Sequence, residues 1–247
     1  MHNNRTMNYF FITGSSRGIG LALTKALLEN DDHYVVGLSR HNEFKHKRFR
    51  HESVDLAQID ELVTLLPKLF DVGESIDRAV LINNAGTLGE IGYMGELDTA
   101  KLPVIYYINL VAPALLANEF VKRFRASASS LLILNISSGA GGYPVDGWSG
   151  YCATKAGMNM LGEVMALEQE IRGTNIRVFN LAPGVVDTDM QGEIRGADSQ
   201  YFSQVQKFIN LKEDAALASP AAVAKSIIHL LENPDKFKAV QQDVRKF

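Results

Sequence analysis

Tyr151 and Lys155 stand four residues apart in Tyr151-Cys152-Ala153-Thr154-Lys155. On a helix that spacing puts both side chains on one face, so an ammonium can lie beside a phenol. An unperturbed tyrosine has a pKa of about 10, and a nearby positive charge is what lets it exchange protons near neutrality. Taken alone the pair is common, and an ordinary surface Tyr and Lys have the same spacing.

A second segment, Thr13-Gly14-Ser15-Ser16-Arg17-Gly18-Ile19-Gly20, lies between an apolar run and a helical pattern. Gly14 suits the turn, Gly18 lets a phosphate approach the backbone, and Gly20 permits close helix packing. The helix N-terminus then favours negative charge. Gly-rich turns are frequent, so the flanking elements carry much of this reading.

Those elements follow from apolar patterning. The first run, Tyr9 to Thr13, precedes a helical stripe through Ile19, Leu23, Ala26 and Leu27. Further strands are expected at Tyr34 to Leu38, at Ala79 to Ile82, at Leu131 to Ile136 and at Ile176 to Leu181, and Ser53 to Asp55 is read as the end of another. Long helices are expected at about Val104 to Phe124 and Tyr151 to Ile171. This βα alternation predicts one α/β domain over 1–247, a Rossmann-type doubly wound parallel sheet with helices on both faces. Gly and Pro gather at strand ends, where such sheets bind ligands.

Composition narrows the alternatives. With 247 residues, 46% hydrophobic and 21% charged, the chain resembles an average globular domain, and no apolar run in it is read as bilayer-length. Cys152 is the only cysteine, which rules out an intrachain disulfide. The polar start, with only Tyr9 to Ile12 apolar behind it, lacks the core of a secretory leader, and the expected location is the cytoplasm. Six scattered histidines give no metal-ligand spacing, so no metal is expected. A net charge of -3 gives no general reason to expect nucleic acid. The basic run Arg40 to His51, with Lys45, Lys47, Arg48 and Arg50, is read mostly as a solvated loop.

The glycine spacing is similar to the Thr-Gly-x-x-x-Gly-x-Gly of the short-chain dehydrogenase/reductase family, and Tyr151-x-x-x-Lys155 to its Tyr-x-x-x-Lys. Asn83-Asn84-Ala85-Gly86 and Pro183-Gly184-Val185-Val186-Asp187-Thr188 also match family segments. Within the family, Asn135-Ile136-Ser137-Ser138, Gly147-Trp148-Ser149-Gly150-Tyr151-Cys152 and Val186-Asp187-Thr188-Asp189-Met190-Gln191 resemble the sepiapterin reductase and benzil reductase group.

The resemblance implies hydride transfer between a nicotinamide cofactor and a small-molecule carbonyl or alcohol. Ser138, thirteen residues before Tyr151, would orient the substrate oxygen, Tyr151 would protonate it, Lys155 would assist, and Asn109 would complete a water and proton relay. Cofactor contacts are expected from Gly14, Ser16, Arg17, Gly18, Ile19 and Gly20; from Asp55 and Leu56 at the adenine; from Asn84, Ala85 and Gly86; from Tyr151 and Lys155; and from Pro183, Gly184, Val186 and Thr188 at the nicotinamide. Asn83 is read equally as a tie between strands.

About twenty positions beyond the loop, where NAD sites carry an acid, this chain has Ser39-Arg40. A guanidinium there suits the extra phosphate of NADP(H), with Arg17 as a second cation. Trp148 is read either as a wall of the substrate pocket or as a packed anchor. A substrate loop at about 190–215 is expected to act as a lid carrying Tyr201 and Phe202. Asp187 and Asp189 are read as capping residues, and Cys152 as a small buried residue. The resemblance further implies a homodimer, or a homotetramer, built on the two long helices. A pterin-holding acid is expected near Asp243, displaced by about one position. The rival of another class, a catalytically silent NADP-binding regulator, would lose the proton-transfer group that Ser138, Tyr151, Lys155 and Asn109 retain here.

Overall fold

A computed structural model describes residues 6–73, 76–126 and 128–247. Among them, seven strands form one sheet in the order β3-β2-β1-β4-β5-β6-β7, with every pairing parallel. β1 (Met7–Thr13) runs into α1 (Gly18–Leu27), then β2 (His33–Ser39) and β3 (Phe49–Ser53). α2 (Ile59–Leu69) leads to β4 (Ile76–Asn83). Between β4 and β5 (Ser130–Ile136), α3 (Leu102–Tyr106) and α4 (Ala112–Phe124) are joined without a break by a π-helical turn, Tyr107–Val111. α5 (Ser149–Ile171) precedes β6 (Ile176–Ala182). Two short helices follow, α6 (Asp189–Arg195) and α7 (Val205–Glu213), and α8 (Pro220–Glu232) returns the chain to β7 (Gln241–Asp243).

Strand geometry explains why these segments read as continuous apolar runs. Successive side chains face opposite sides of the sheet, and helices cover both. Phe11, Val36, Leu38, Leu81 and Ile133 join the core formed with α2 and α4. Their neighbours Phe10, Ile12, Val35, Val80, Ile82 and Leu132 enter the core formed with α1 and α8. On the first side, Phe11, Phe70, Phe120 and Phe124 make an aromatic cluster with ring centroids 4.8–6.1 Å apart.

Two expectations are corrected here. The third strand begins at Phe49 and closes at Ser53, so the end of the basic run is sheet and not loop. Arg48 turns inward, donating to the carbonyls of Leu28 (2.8 Å), His33 (2.9 Å) and Asn30 and pairing with Asp31 at 2.9 Å. Arg50 pairs with Glu52 at 2.9 Å and donates to the Leu69 carbonyl at 2.6 Å. Both cations saturate helix-end carbonyls and carboxylates and are not offered to a partner. Second, the helix Leu102–Phe124, 23 residues long, does reach bilayer length and apolarity. One face of it is core, with Ile105, Ala112, Leu116, Phe120 and Phe124 all buried, while Val104 and Tyr107 are exposed.

Candidate active site

Strand order reverses between β1 and β4, and the loops after these two strands open a crevice at the carboxyl end of the sheet, where ligands bind in this architecture. Gly14 (φ 68°) and Gly18 (φ 54°) hold left-handed backbone that side chains resist. A Cβ on Gly20 would lie 2.2 Å from the Gly14 carbonyl oxygen, so the turn is too tight for any other residue.

The loops are tied together by residues whose role the motif alone does not reveal. Thr13 Oγ1 accepts from the backbone N–H groups of Asn84 and Ala85, each at 2.9 Å. Asn84 Nδ2 donates to the carbonyls of Thr13 (2.9 Å) and Gly14 (3.2 Å). The Asn84 side chain therefore braces the glycine turn and presents no free donor to a ligand. Gly86 lies against Asn109 and Lys155, with room for a Cβ 3.5 Å from Asn109 Oδ1 and 3.7 Å from Lys155 Nζ. Ser15 Oγ is buried in the loop without a hydrogen-bond partner among the described residues.

At the end of β2, Ser39 Oγ donates to the His41 carbonyl at 2.9 Å and lies 2.9 Å from His51 Nε2. Ser53 Oγ donates to the Arg40 carbonyl at 3.2 Å, which fixes the Arg40 backbone while its side chain stays exposed. Arg17 is not free: Nη1 pairs with Asp189 Oδ2 at 2.9 Å, linking the glycine loop to α6. Asp187 pairs with Lys212 at 2.7 Å. The two aspartates are thus ion-pair partners and not caps, and the α6 N-cap, Thr188, makes no side-chain cap bond. Asp55 Oδ1 accepts from Ala57 N at 3.0 Å, and the Leu56 side chain is in the core. Gly184 (φ 75°) turns the chain after Pro183, Val186 bridges to Ala218, and Thr188 approaches Gly18. Ser16 and Ile19 are partly buried, Ile19 against the α1–α8 core.

Tyr151 and Lys155 project from the first turns of α5. Both are buried, 7% and 4% exposed, and Lys155 Nζ lies 5.6 Å from the centre of the tyrosine ring. The amine donates to the Ile136 carbonyl at 2.8 Å, at the end of β5. Burial pushes the phenol up to about 12, partly offset by a hydrogen bond with Ser138. Burial also lowers the amine to about 8. Without a cofactor, burial sets the phenol, and the lowering expected from Lys155 together with a nicotinamide belongs to the cofactor-bound protein. Ser138 Oγ also accepts from Ala140 N at 3.2 Å.

Asn109 sits in the π-helical turn, a distortion frequent at functional sites. Its Nδ2 donates to the Thr87 carbonyl (2.8 Å) and to Thr154 Oγ1 (3.2 Å), and Oδ1 accepts from Thr87 N (2.9 Å). With both donors engaged, the side chain is a brace between the β4 loop and α5.

Asn83 is the strand tie anticipated as one of its readings. Its Nδ2 donates to Asn135 Oδ1 (2.9 Å), Asn135 Nδ2 to Asn180 Oδ1 (2.8 Å), and Asn180 Nδ2 to the Asn159 carbonyl of α5 (2.9 Å). Strand register aligns all three asparagines.

Trp148 is buried, 7% exposed, and packs against Phe202 (5.1 Å between centroids, 15°) and edge-on to Tyr151 (5.5 Å, 78°). Beside it, α6 and α7 replace the expected loop. Phe202 and Phe208 are buried in their shared core, while Tyr201 meets Tyr93 edge-on at 5.9 Å. Asp146 accepts from Ser203 N (2.7 Å) and Oγ (3.0 Å), which fastens this segment to the body. Cys152 is partly exposed, contrary to the buried reading. No group of three metal-ligating side chains occurs among the described residues.

The doubly wound sheet, the glycine cradle at its switch point and the buried Tyr151–Lys155 pair with Ser138 beside it define a nucleotide-binding α/β oxidoreductase. Residues 8–199 match the short chain dehydrogenase family model, and the chain belongs to that family. It is 36% identical over 230 residues to "Benzil reductase ((S)-benzoin forming)" of Bacillus subtilis (strain 168), covering 92% of this chain and 94% of that protein. It is 31% identical to the sepiapterin reductase of Mus musculus, covering 92% of each. The solved structure "4-hydroxyisoleucine dehydrogenase complexed with NADH" superposes with a TM-score of 0.79 at 25% identity, covering 96% of each chain.

Proposed function

We propose that this chain is an NADPH-dependent carbonyl reductase, and in reverse an alcohol dehydrogenase, acting on a ketone that belongs to a vicinal dicarbonyl. The observation that carries the reading is the burial of Tyr151 and Lys155 together, with Lys155 Nζ 5.6 Å from the centre of the phenol ring, at the carboxyl end of the sheet. The relatives that reduce benzil and sepiapterin support the substrate class.

The cradle suits the cofactor: a tight turn of glycines, Gly14, Gly18 and Gly20, leaves backbone that a phosphate can approach at the start of α1. Gly14, Ser16, Gly18 and Gly20 would hold the pyrophosphate, Ser39 and Arg40 the adenosine phosphate, Asp55 and Leu56 the adenine, and Pro183, Gly184, Val186 and Thr188 the nicotinamide end. When bound, NADPH supplies the hydride. Ser138 and Tyr151 hold the carbonyl oxygen, and Tyr151 delivers its Oη proton as negative charge develops there. A phenol kept at about 12 stays protonated at neutral pH and is therefore a ready acid for reduction. The Lys155 ammonium lies close enough to steady the phenolate left behind.

A pterin substrate is less well served than an aryl dicarbonyl. The acid near the C-terminus, Asp243, is taken by Arg245 through Nε (2.9 Å), Nη2 (2.5 Å) and the backbone N–H (3.0 Å). The active unit is proposed to be a homodimer. Met160, Val164, Leu167 and Ile171 form an exposed apolar stripe on α5, with Val104 and Tyr107 exposed on the other long helix.

The test is nicotinamide oxidation against benzil, diacetyl and sepiapterin. Tyr151→Phe should cut turnover by roughly 10²–10⁴-fold, the contribution of a positioned general acid, and leave NADPH affinity within about threefold. A Tyr151→Phe protein that keeps most of its activity refutes the assignment.

A further inference from the structure

Trp148 carries a polar atom that neither the fold nor the proton-transfer group uses. Its indole N–H is buried and finds no acceptor among the described residues. The ring cannot turn the N–H toward water, because Phe202 covers its face and Tyr151 and Phe208 close around it at 5.5 and 5.7 Å. A buried donor left without a partner is costly, and native proteins rarely keep one without reason. This one stands three residues before the tyrosine that touches the reacting oxygen.

We propose that the Trp148 indole N–H is a specificity determinant, donating to the second oxygen of a vicinal dicarbonyl while Ser138 and Tyr151 hold the oxygen being reduced. The inference rests on the carbonyl-reductase reading and adds to it a residue that distinguishes a dicarbonyl from a simple ketone. A monoketone leaves the donor as unpaired as it is in the ligand-free protein, whereas a dicarbonyl gains a buried hydrogen bond and is favoured by that amount. The competing account is internal. Gln191 Oε1 is also buried without a partner, and its Nε2 donates to the carbonyl of the same Phe208 at 3.0 Å. A small shift that joined indole and amide would make Trp148 a packing residue only.

The experiment uses the fact that the chain has one tryptophan. Growth of a tryptophan auxotroph on benzothienylalanine replaces position 148 alone, exchanging N–H for sulfur at nearly constant shape; Trp148→Phe is the genetic counterpart. Each protein is assayed with benzil and with deoxybenzoin, in which a methylene replaces the second carbonyl. The benzil to deoxybenzoin ratio of kcat/KM should fall about tenfold, the effect of losing one buried hydrogen bond, with deoxybenzoin turnover and Tm unchanged in the benzothienylalanine protein; Trp148→Phe should show the same fall in ratio, with a lower Tm from its lost packing volume. An unaltered ratio, or equal losses on both ketones with a lowered Tm, overturns the assignment in favour of a packing role. Wild-type protein that binds NADPH and reduces neither ketone refutes the reductase reading, and this proposal with it. Turnover of both with an unchanged ratio refutes the indole's role alone.

Discussion

Lys155→Met should raise the stability of the ligand-free protein near neutral pH while removing its activity, and the pH dependence of that gain is the telling measurement. Burial lowers the amine from 10.5 to about 8, and the amine has no carboxylate partner that offsets it. At about 1.36 kcal/mol per pH unit, holding the charged form in the fold costs about 3 kcal/mol. Methionine removes that cost but leaves the Ile136 carbonyl without its 2.8 Å donor, a loss of about 1–3 kcal/mol. The net gain near pH 7 is therefore about 0–2 kcal/mol. The sign follows from proton counting: between about 8 and 10.5 the unfolded chain holds a proton that the folded one has released, so wild-type stability rises with pH through this window. Below it both states are protonated and the full cost is present. Urea unfolding at about pH 7 and pH 10 should show the wild type gaining about 2.5 kcal/mol relative to Lys155→Met, because other titrations cancel in the difference. Parallel pH profiles would refute the buried, uncompensated amine. A wild type that lost ground as pH rose would mean that the fold stabilises the ammonium.

Three further outcomes are expected. Arg40→Ser should weaken NADPH binding about 10–100-fold by removing a charge-assisted contact and leave NADH affinity unchanged; titration of both cofactors decides, and equal weakening rejects the phosphate role. Asn135→Leu strands Asn83 Nδ2 and Asn180 Oδ1 in a dry interior and should cost about 2–5 kcal/mol in urea unfolding, whereas a loss under about 1 kcal/mol would show that the amide ladder is dispensable. Leu167→Glu, on the exposed stripe of α5, should give monomers in sedimentation velocity without lowering Tm, and an unchanged sedimentation coefficient would place the interface elsewhere.

The parts of the site legible in the sequence are those whose chemistry is local. The turn from Gly14 to Gly20 and the Tyr151–Lys155 pair each lie within eight residues, so spacing and the adjoining periodicity suffice to place them. Strand positions were legible for the same reason, except that only the end of β3 was read, its Phe49–Ser53 segment carrying one apolar residue among polar ones, and the three-residue, all-polar β7 was not read at all. What stayed hidden depends on register between distant segments. The Asn83–Asn135–Asn180 ladder joins residues 52 and 45 positions apart, and only the parallel register of β4, β5 and β6 brings the amides into line. Thr13 and Thr87 were passed over because a threonine beside a glycine turn has no distinguishing spacing. Arg48 and Arg50 looked solvated because sequence shows charge but not the carbonyls it meets.

The raised tyrosine of the ligand-free protein follows from the same limit, and it bears on how the site works. Sequence shows that Lys155 neighbours Tyr151; it does not show that both are buried, with Tyr151 packed against Trp148 in the core that Phe202 and Phe208 share. In that enclosure the neutral phenol is favoured, so the ligand-free protein already holds Tyr151 in the form that donates. The lysine, lowered to about 8, is then the group that changes charge near neutrality, and the phenol follows it only when something else enters the crevice. The packing that Phe202 and Phe208 contribute around Trp148 and Tyr151 is therefore part of what keeps the phenol neutral.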